Sequence, residues 1–216
     1  MYGVYLADAH HHPRCRRISR ASLCFWQGAR RRSRHGQVQK RDMRVSSYET
    51  LDIHSGPAVD HVGDARQMEL AGASFDTIFS FQMLEHVDDP DRVVGEFLRV
   101  LKPGGAVIAT KPFIALQHAD PSDFWRYSRF GGRTLFERNG FEVIECEGYG
   151  GFFTVLGEML KFAFLTPYKG TTYGRFRTRV VIFVMKRLCS FDRALPNWGI
   201  QKDFYPNIYV VARKRG

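Results

Sequence analysis

From Val45 onward the chain alternates short apolar runs with amphipathic stretches, whereas residues 1–44 show no clear period. TLDI (50–53) and VDHV (59–62) are separated by the turn-forming HSGPA and predict two strands. FDTIFSF (75–81) predicts a third, because β-branched and aromatic side chains suit a pleated, half-buried surface. Asp89 is placed to cap a helix and Pro90 to start it. Val93, Val94, Phe97, Leu98 and Leu101 then share one helical face, with Asp91, Arg92, Glu96 and Arg99 elsewhere. Lys102-Pro103-Gly104-Gly105 predicts the turn that ends this helix. AVIATKPF (106–113) reads as a buried strand. A helix near 131–139, ending at Gly140, leads to strand FEVIECEGY (141–149), and NIYVVARK (207–214) is the final strand.

Strands alternating with helices predict an α/β fold, doubly wound around a mostly parallel sheet. The sequence divides into an atypical basic segment (1–44) and an α/β domain (45–216) with a mainly helical insertion at about 150–204. Two apolar helices are expected in that insertion, near 151–165 and 176–190. Neither is a membrane span: Glu158 and Lys161 interrupt the first, and the second is short and flanked by Arg and Lys. The insertion is expected to be an acceptor lid or a docking surface, with simple packing of its apolar helices on the sheet as the other reading. Its Arg175, Arg177, Arg179, Lys186 and Arg187 suit peripheral contact with a membrane surface.

Charge changes the picture in one place. Residues 1–44 carry 11 Lys and Arg against Asp8 and Asp42, so nearly all of the formal +10 sits there and the α/β domain is almost neutral. Nucleic-acid binding by the whole protein is therefore not expected; only the basic arm could provide it. Cys15, Cys24, Cys146 and Cys189 form no CxxC pair, which predicts a reducing, cytoplasmic setting without a disulfide framework. His10, His11, His12 and Cys15 match no zinc spacing, and no metal site is expected.

In a doubly wound sheet the ligand lies over the carboxyl ends of the strands. Asp52 lies near the end of the first clear strand, where a carboxylate could accept from ribose hydroxyls or merely cap a turn. Asp64 and Ala65 follow the second strand, where an acid could accept from an adenine amine or cap a helix. Ser80 to Gln82 end the third strand and Lys111 to Phe113 the fourth. His86 is the candidate general base, or a histidine that orders the loop. HADPSDFWRY (118–127) follows on the same rim. His118, Asp123, Arg126 and Tyr127 are its candidate acceptor-binding residues, with packing under a loop as the other role for Trp125 and Tyr127.

FDTIFSFQMLEHVDDPDRVVGEFLRVLKPGGAVIATKPF resembles the fourth-to-fifth-strand region of class I S-adenosylmethionine-dependent methyltransferases, of the type 11 domain group. YETLDI and VGDA resemble that family's ribose-binding and adenine-binding strand ends, and NIYVVARK its antiparallel last strand. The resemblance covers about 46–149 plus that strand. It implies a Rossmann-like fold and S-adenosylmethionine as cofactor, with Asp52 on the ribose, Asp64 and Ala65 on the adenine, and Gln82 near the methionine end. It implies methyl transfer to an unidentified small-molecule or glycan-like acceptor. A degenerate fold serving as a binding or scaffold module is the alternative.

One part of the pattern is missing. By similarity, the first strand and its glycine-rich loop belong near SLCFWQGARRR (22–32), which holds one glycine, Gly28, and no Gly-x-Gly. Backbone amides approach a cofactor closely only where side chains are absent. This chain is therefore expected to bind S-adenosylmethionine weakly or not at all. The break near residue 44 suggests a misassigned or out-of-frame start, with an unusual but functional replacement loop as the competing account. Loss of the central strand would also expose two strand edges.

Overall fold

A computed structural model of the protein describes residues 4–8, 47–165, 180–185, 187, 190–192 and 203–216. Seven strands form one sheet among these residues. They are β1 (Val4–Asp8), β2 (Ser47–Asp52), β3 (His61–Val62), β4 (Phe75–Phe81), β5 (Leu101–Pro112), β6 (Phe141–Tyr149) and β7 (Asn207–Lys214). Their order across the sheet is β3-β2-β1-β4-β5-β7-β6. Strands β2 to β6 point one way. The last strand, β7, is antiparallel to both β5 and β6, as expected. This is a Rossmann-like, doubly wound sheet.

The central strand is the surprise. VYLAD at the amino end of the chain fills the slot between β2 and β4, and it runs antiparallel to both. No sheet edge is therefore open at the centre, contrary to expectation. Val4 and Leu6 are buried in the main core with Leu51 and Ile78, which is what holds so short a strand in place. Val4 pairs with Leu51 and Ser80, at the carboxyl ends of their strands. Asp8, the carboxyl end of β1, pairs with Ser47 at the opposite rim. The expected loop region, 22–32, lies outside the described residues.

The first helix, α1 (Pro90–Val100), starts where expected, with the Asp89 carboxylate accepting from the Arg92 amide at 3.2 Å. Val93, Val94, Phe97 and Val100 are fully buried against the sheet. Each contributes ~1.5–3 kcal/mol relative to exposure. Leu98 only borders the core and Leu101 belongs to β5, so the predicted face turns slightly toward Val100. Lys102 to Gly105 do not simply end the helix. They form a bulge inside β5: Leu101 faces Phe75, and pairing resumes at Ala106 with Thr77. Gly104 takes the left-handed φ of 75° that the bulge needs.

The second helix, α2 (Arg129–Arg138), is capped by Ser128, whose hydroxyl accepts from the Gly131 amide at 3.2 Å. It presses onto β7 at Gly132, where a Cβ would meet Ile208 Cδ1 at 2.4 Å. The third helix, α3 (Phe152–Leu165), opens the insertion. The Asp192 carboxylate caps its start, accepting from the Phe153 amide at 3.1 Å and the Thr154 amide at 2.7 Å. Residues 180–185, 187 and 190–192 are helical as well. Val180, Ile182, Phe183, Val184 and Phe191 are exposed there, so this helix does not bury its apolar face in the sheet. Among the described residues no helix is long and apolar enough to cross a membrane. Arg175, Arg177 and Arg179 lie outside the described residues, as does the Lys186 side chain.

Candidate functional site

The site residues collect at the carboxyl ends of β2, β4 and β5. Asp52, the last residue of β2, is 6% exposed. Its Oδ1 accepts from the His54 amide at 3.0 Å, while Oδ2 is buried with no hydrogen-bond partner among the described residues. A buried carboxylate oxygen without a donor is costly, and it is suited to accept a hydrogen bond from a hydroxyl group.

Asp64 is already engaged. Arg66 grips it through Nε at 3.1 and 2.9 Å and Nη2 at 2.7 Å, and also donates its own amide at 2.8 Å. The guanidinium holds the Asp64 carboxyl below the usual carboxylate range. Arg66 reaches on to Asp88 at 2.6 Å, tying the β3 loop to the start of α1. Ala65 packs against the core beside it. Gln82 follows β4 with a positive φ of 50°, its amide donating to the Thr110 carbonyl at 2.9 Å and its side chain to Thr110 Oγ1 at 3.3 Å. It is thus placed across the tips of two strands.

Leu84–His86 form one short 3-10 turn after β4, and the loop 118–127 is bolted onto it. The Glu85 carbonyl accepts from the Phe124 amide, the Val87 carbonyl from Trp125 Nε1, and the Leu84 carbonyl from the Tyr127 hydroxyl. Tyr127 is therefore buried beneath the loop. Asp123, with a side chain 1% exposed, is held by both Arg126 Nη atoms at 2.6 and 2.7 Å and by the His118 amide at 2.8 Å. Arg126 also donates to the Ala115 and Leu116 carbonyls. This pair staples the loop to itself, and the Arg126 charge holds Asp123 far below the ordinary carboxylate range. Of the four candidate acceptor residues, His118 has the most exposed side chain, at 32%, and its Nδ1 lies 3.5 Å from Asp123 Oδ2.

The side chain of His86 is 8% exposed, and its Nδ1 lies 2.6 Å from the Ser122 carbonyl. A carbonyl only accepts, so Nδ1 carries the proton and Nε2 presents the lone pair. Burial pushes the pKa of His86 down, which keeps the ring neutral and basic near neutral pH.

Two buried charged groups were not singled out as site residues from the sequence. Glu85 and Lys111 are both fully buried, and neither has a hydrogen-bond partner among the described residues. The Lys111 ammonium instead sits over the Tyr127 and Phe136 rings, at 4.3 and 4.6 Å from their centroids. Burial pushes Glu85 up to about 8 and Lys111 down to about 7. The signal for Lys111 was in view: a lone lysine in the apolar run AVIATKPF, inside a strand covered on both faces.

Residues 29–109 match the family model of the methyltransferase domain. The match spans well under half of the chain and ends within β5. It includes Asp52, Asp64, Ala65, Gln82, Glu85 and His86; the 118–127 loop lies beyond it. A probable S-adenosylmethionine-dependent methyltransferase from Mycolicibacterium smegmatis is 39% identical over 57 residues, 26% of this chain and 22% of that protein. The chain thus spans about a fifth of that curated relative's length. Similar solved structures include an S-adenosylmethionine-dependent methyltransferase from Archaeoglobus fulgidus, at 15% identity and TM-score 0.47, covering 76% of this chain and 74% of that one. Another, from Mesorhizobium loti, is 15% identical with TM-score 0.46, covering 76% and 78%. S-adenosylmethionine is the cofactor that goes with the methyltransferase domain.

The residues present meet that cofactor halfway. Asp52 offers an unsatisfied acceptor where a nucleoside would lie. At the centre of the rim, however, the amino end of the reversed β1 stands at Val4, where a forward strand would deliver its loop. A glycine-rich cradle is not formed by the described residues.

Proposed function

We propose that the protein is an S-adenosylmethionine-dependent methyltransferase with weakened cofactor affinity, acting on a small-molecule or glycan-like acceptor. The observation that carries this reading is the buried, partnerless Oδ2 of Asp52 at the strand end. Asp52 would accept from the ribose hydroxyls, Asp64 and Ala65 would face the adenine, and Gln82 would line the methionine end. The cofactor would supply a methyl group on a sulfonium, and the chain would supply alignment and exclusion of water. His86, neutral and nearly buried, would take a proton from the acceptor, and His118 would contact the acceptor at the open side of the same loop. Asp123 and Arg126 would shape that loop rather than touch the acceptor, with Tyr127 as its floor. The insertion would cover the acceptor or dock on a membrane surface through its exposed apolar helix.

Titration calorimetry with S-adenosylmethionine tests this reading directly. Weak binding that Asp52→Ala reduces further, with the fold intact, is the expected result. No heat at millimolar cofactor would favour the second reading, a non-catalytic binding module. The reversed β1 is the observation that favours that alternative.

A further inference from the structure

We propose that Glu85, His86 and His118 form a binding site for a divalent transition-metal ion, with zinc the best match. One ligand atom from each residue lies within 4.8 Å of the others. His86 Nε2 stands 3.9 Å from Glu85 Oε1. The His86 and His118 rings meet edge to face, with centroids 4.9 Å apart.

Three features distinguish this cluster from a chance meeting of polar groups. The first is Glu85, which is 0% exposed and has neither carboxylate oxygen hydrogen-bonded among the described residues. A buried carboxylate normally pairs with a donor, a cation or a metal. The nearby guanidinium of Arg126 is already consumed by Asp123. Lys111 is turned onto aromatic rings.

The second feature is the orientation of the imidazoles. His86 Nδ1 faces the Ser122 carbonyl at 2.6 Å, and His118 Nδ1 faces the Leu116 carbonyl at 3.1 Å. Each carbonyl places the ring proton on Nδ1 and the lone pair on Nε2. Metal-binding histidines are oriented in this way, with the second nitrogen donating to a carbonyl or carboxylate.

The third is access. Exposure rises from 0% at the Glu85 side chain to 8% at His86 and 32% at His118, so the cluster reaches solvent through His118. Two imidazole nitrogens and one carboxylate oxygen suit zinc and its neighbours rather than magnesium or calcium, and three protein ligands leave a further position open. Tetrahedral zinc with ligand bonds of ~2.0–2.2 Å brings its ligand atoms to ~3.4 Å apart. The cluster therefore closes by up to ~1.4 Å on binding, mostly by rotation of the partly exposed His118, with His86 and Glu85 drawing ~0.5 Å closer. The site was invisible in sequence spacing because its ligands come from the turn after β4 and the loop after β5.

The test is zinc binding by the full chain, stripped with chelator and desalted, in a His10→Ser, His11→Ser, His12→Ser background. Calorimetry reads stoichiometry, and the visible spectrum with cobalt reads the ligand field. One zinc per chain is expected, weakened at least ~10-fold by His118→Gln and by Glu85→Gln, with circular dichroism unchanged. His118→Gln alters a partly exposed side chain, so it keeps the test valid if Glu85→Gln misfolds. No uptake at about 100 µM zinc, or equal uptake by the parent and His118→Gln, overturns the proposal. The readout is metal uptake, not methyl transfer; zinc on His86 Nε2 would occupy the lone pair that proton removal uses, so the two roles of His86 are alternatives.

Discussion

Replacing Lys111 by methionine should stabilise the protein, and the gain should depend on pH. The ammonium is fully buried over the Tyr127 and Phe136 rings and has no hydrogen-bond partner among the described residues. Burial lowers its pKa from 10.5 to about 7. The unfolded chain therefore holds a proton that the folded chain has released between those two values, and the stability of the parent rises with pH across that window. Below about pH 7 the full penalty of a buried charge applies, and near pH 10.5 it vanishes. A shift of that size corresponds to ~5 kcal/mol, which the ring contacts partly offset. Methionine fills a similar volume without charge, and removing buried charges in favour of apolar side chains typically gains ~1–4 kcal/mol. Urea unfolding followed by circular dichroism at pH 6, 8 and 10 measures it. Lys111→Met should be ~1–4 kcal/mol more stable than the parent at pH 6, with the difference shrinking at pH 10. A loss of stability at pH 6, or a gain that ignores pH, would refute the reasoning.

Other outcomes follow from the same geometry. Asp52→Ala should weaken S-adenosylmethionine binding by ~1.5–3 kcal/mol, measured by calorimetry, because a charged acceptor is lost. Unchanged affinity would remove Asp52 from the site. Arg126→Ala leaves the buried Asp123 carboxylate without its main partner and should cost ~3–5 kcal/mol in a thermal melt. Because Asp123 has a depressed pKa, its contribution is full above 3.8 and declines as pH falls below that. Asp192→Ala removes the cap on α3 and should cost ~1 kcal/mol, seen as faster hydrogen exchange at Phe153 and Thr154. Flotation with anionic liposomes at low salt should carry the protein upward if the exposed apolar helix touches membranes; absence from the lipid layer discards that role.

The elements legible in the sequence were those whose period and boundaries agree. FDTIFSF and FEVIECEGY became strands at the expected residues, and Asp89 with Pro90 marked the start of α1. The miss at β1 has a physical cause. VYLAD lies in a basic segment without the turn signals and alternation that marked TLDI and VDHV, and it is held by Leu51 and Ile78, far away in the chain. The glycines at 104 and 105 signalled a departure from regular structure but not whether it was a turn or a bulge, since both need a positive φ. At the rim, Asp52 was readable because it ends an apolar run. The stapling of Asp123 by Arg126 was not, because the same residue types at that spacing suit a ligand equally well.

The reversed β1 also governs how the protein should be handled. Val4 stands at the rim beside Leu51 and Ser80, so a tag or fusion partner on the amino end would be tethered over Asp52. At the other end of the chain, Lys214 pairs with Phe141, the first residue of β6, and its ammonium donates to the Leu101 carbonyl at 2.7 Å. A carboxyl-terminal label therefore departs from the opposite side of the sheet. Purification handles and fluorophores belong there, and an amino-terminal handle would compete with whatever the rim binds.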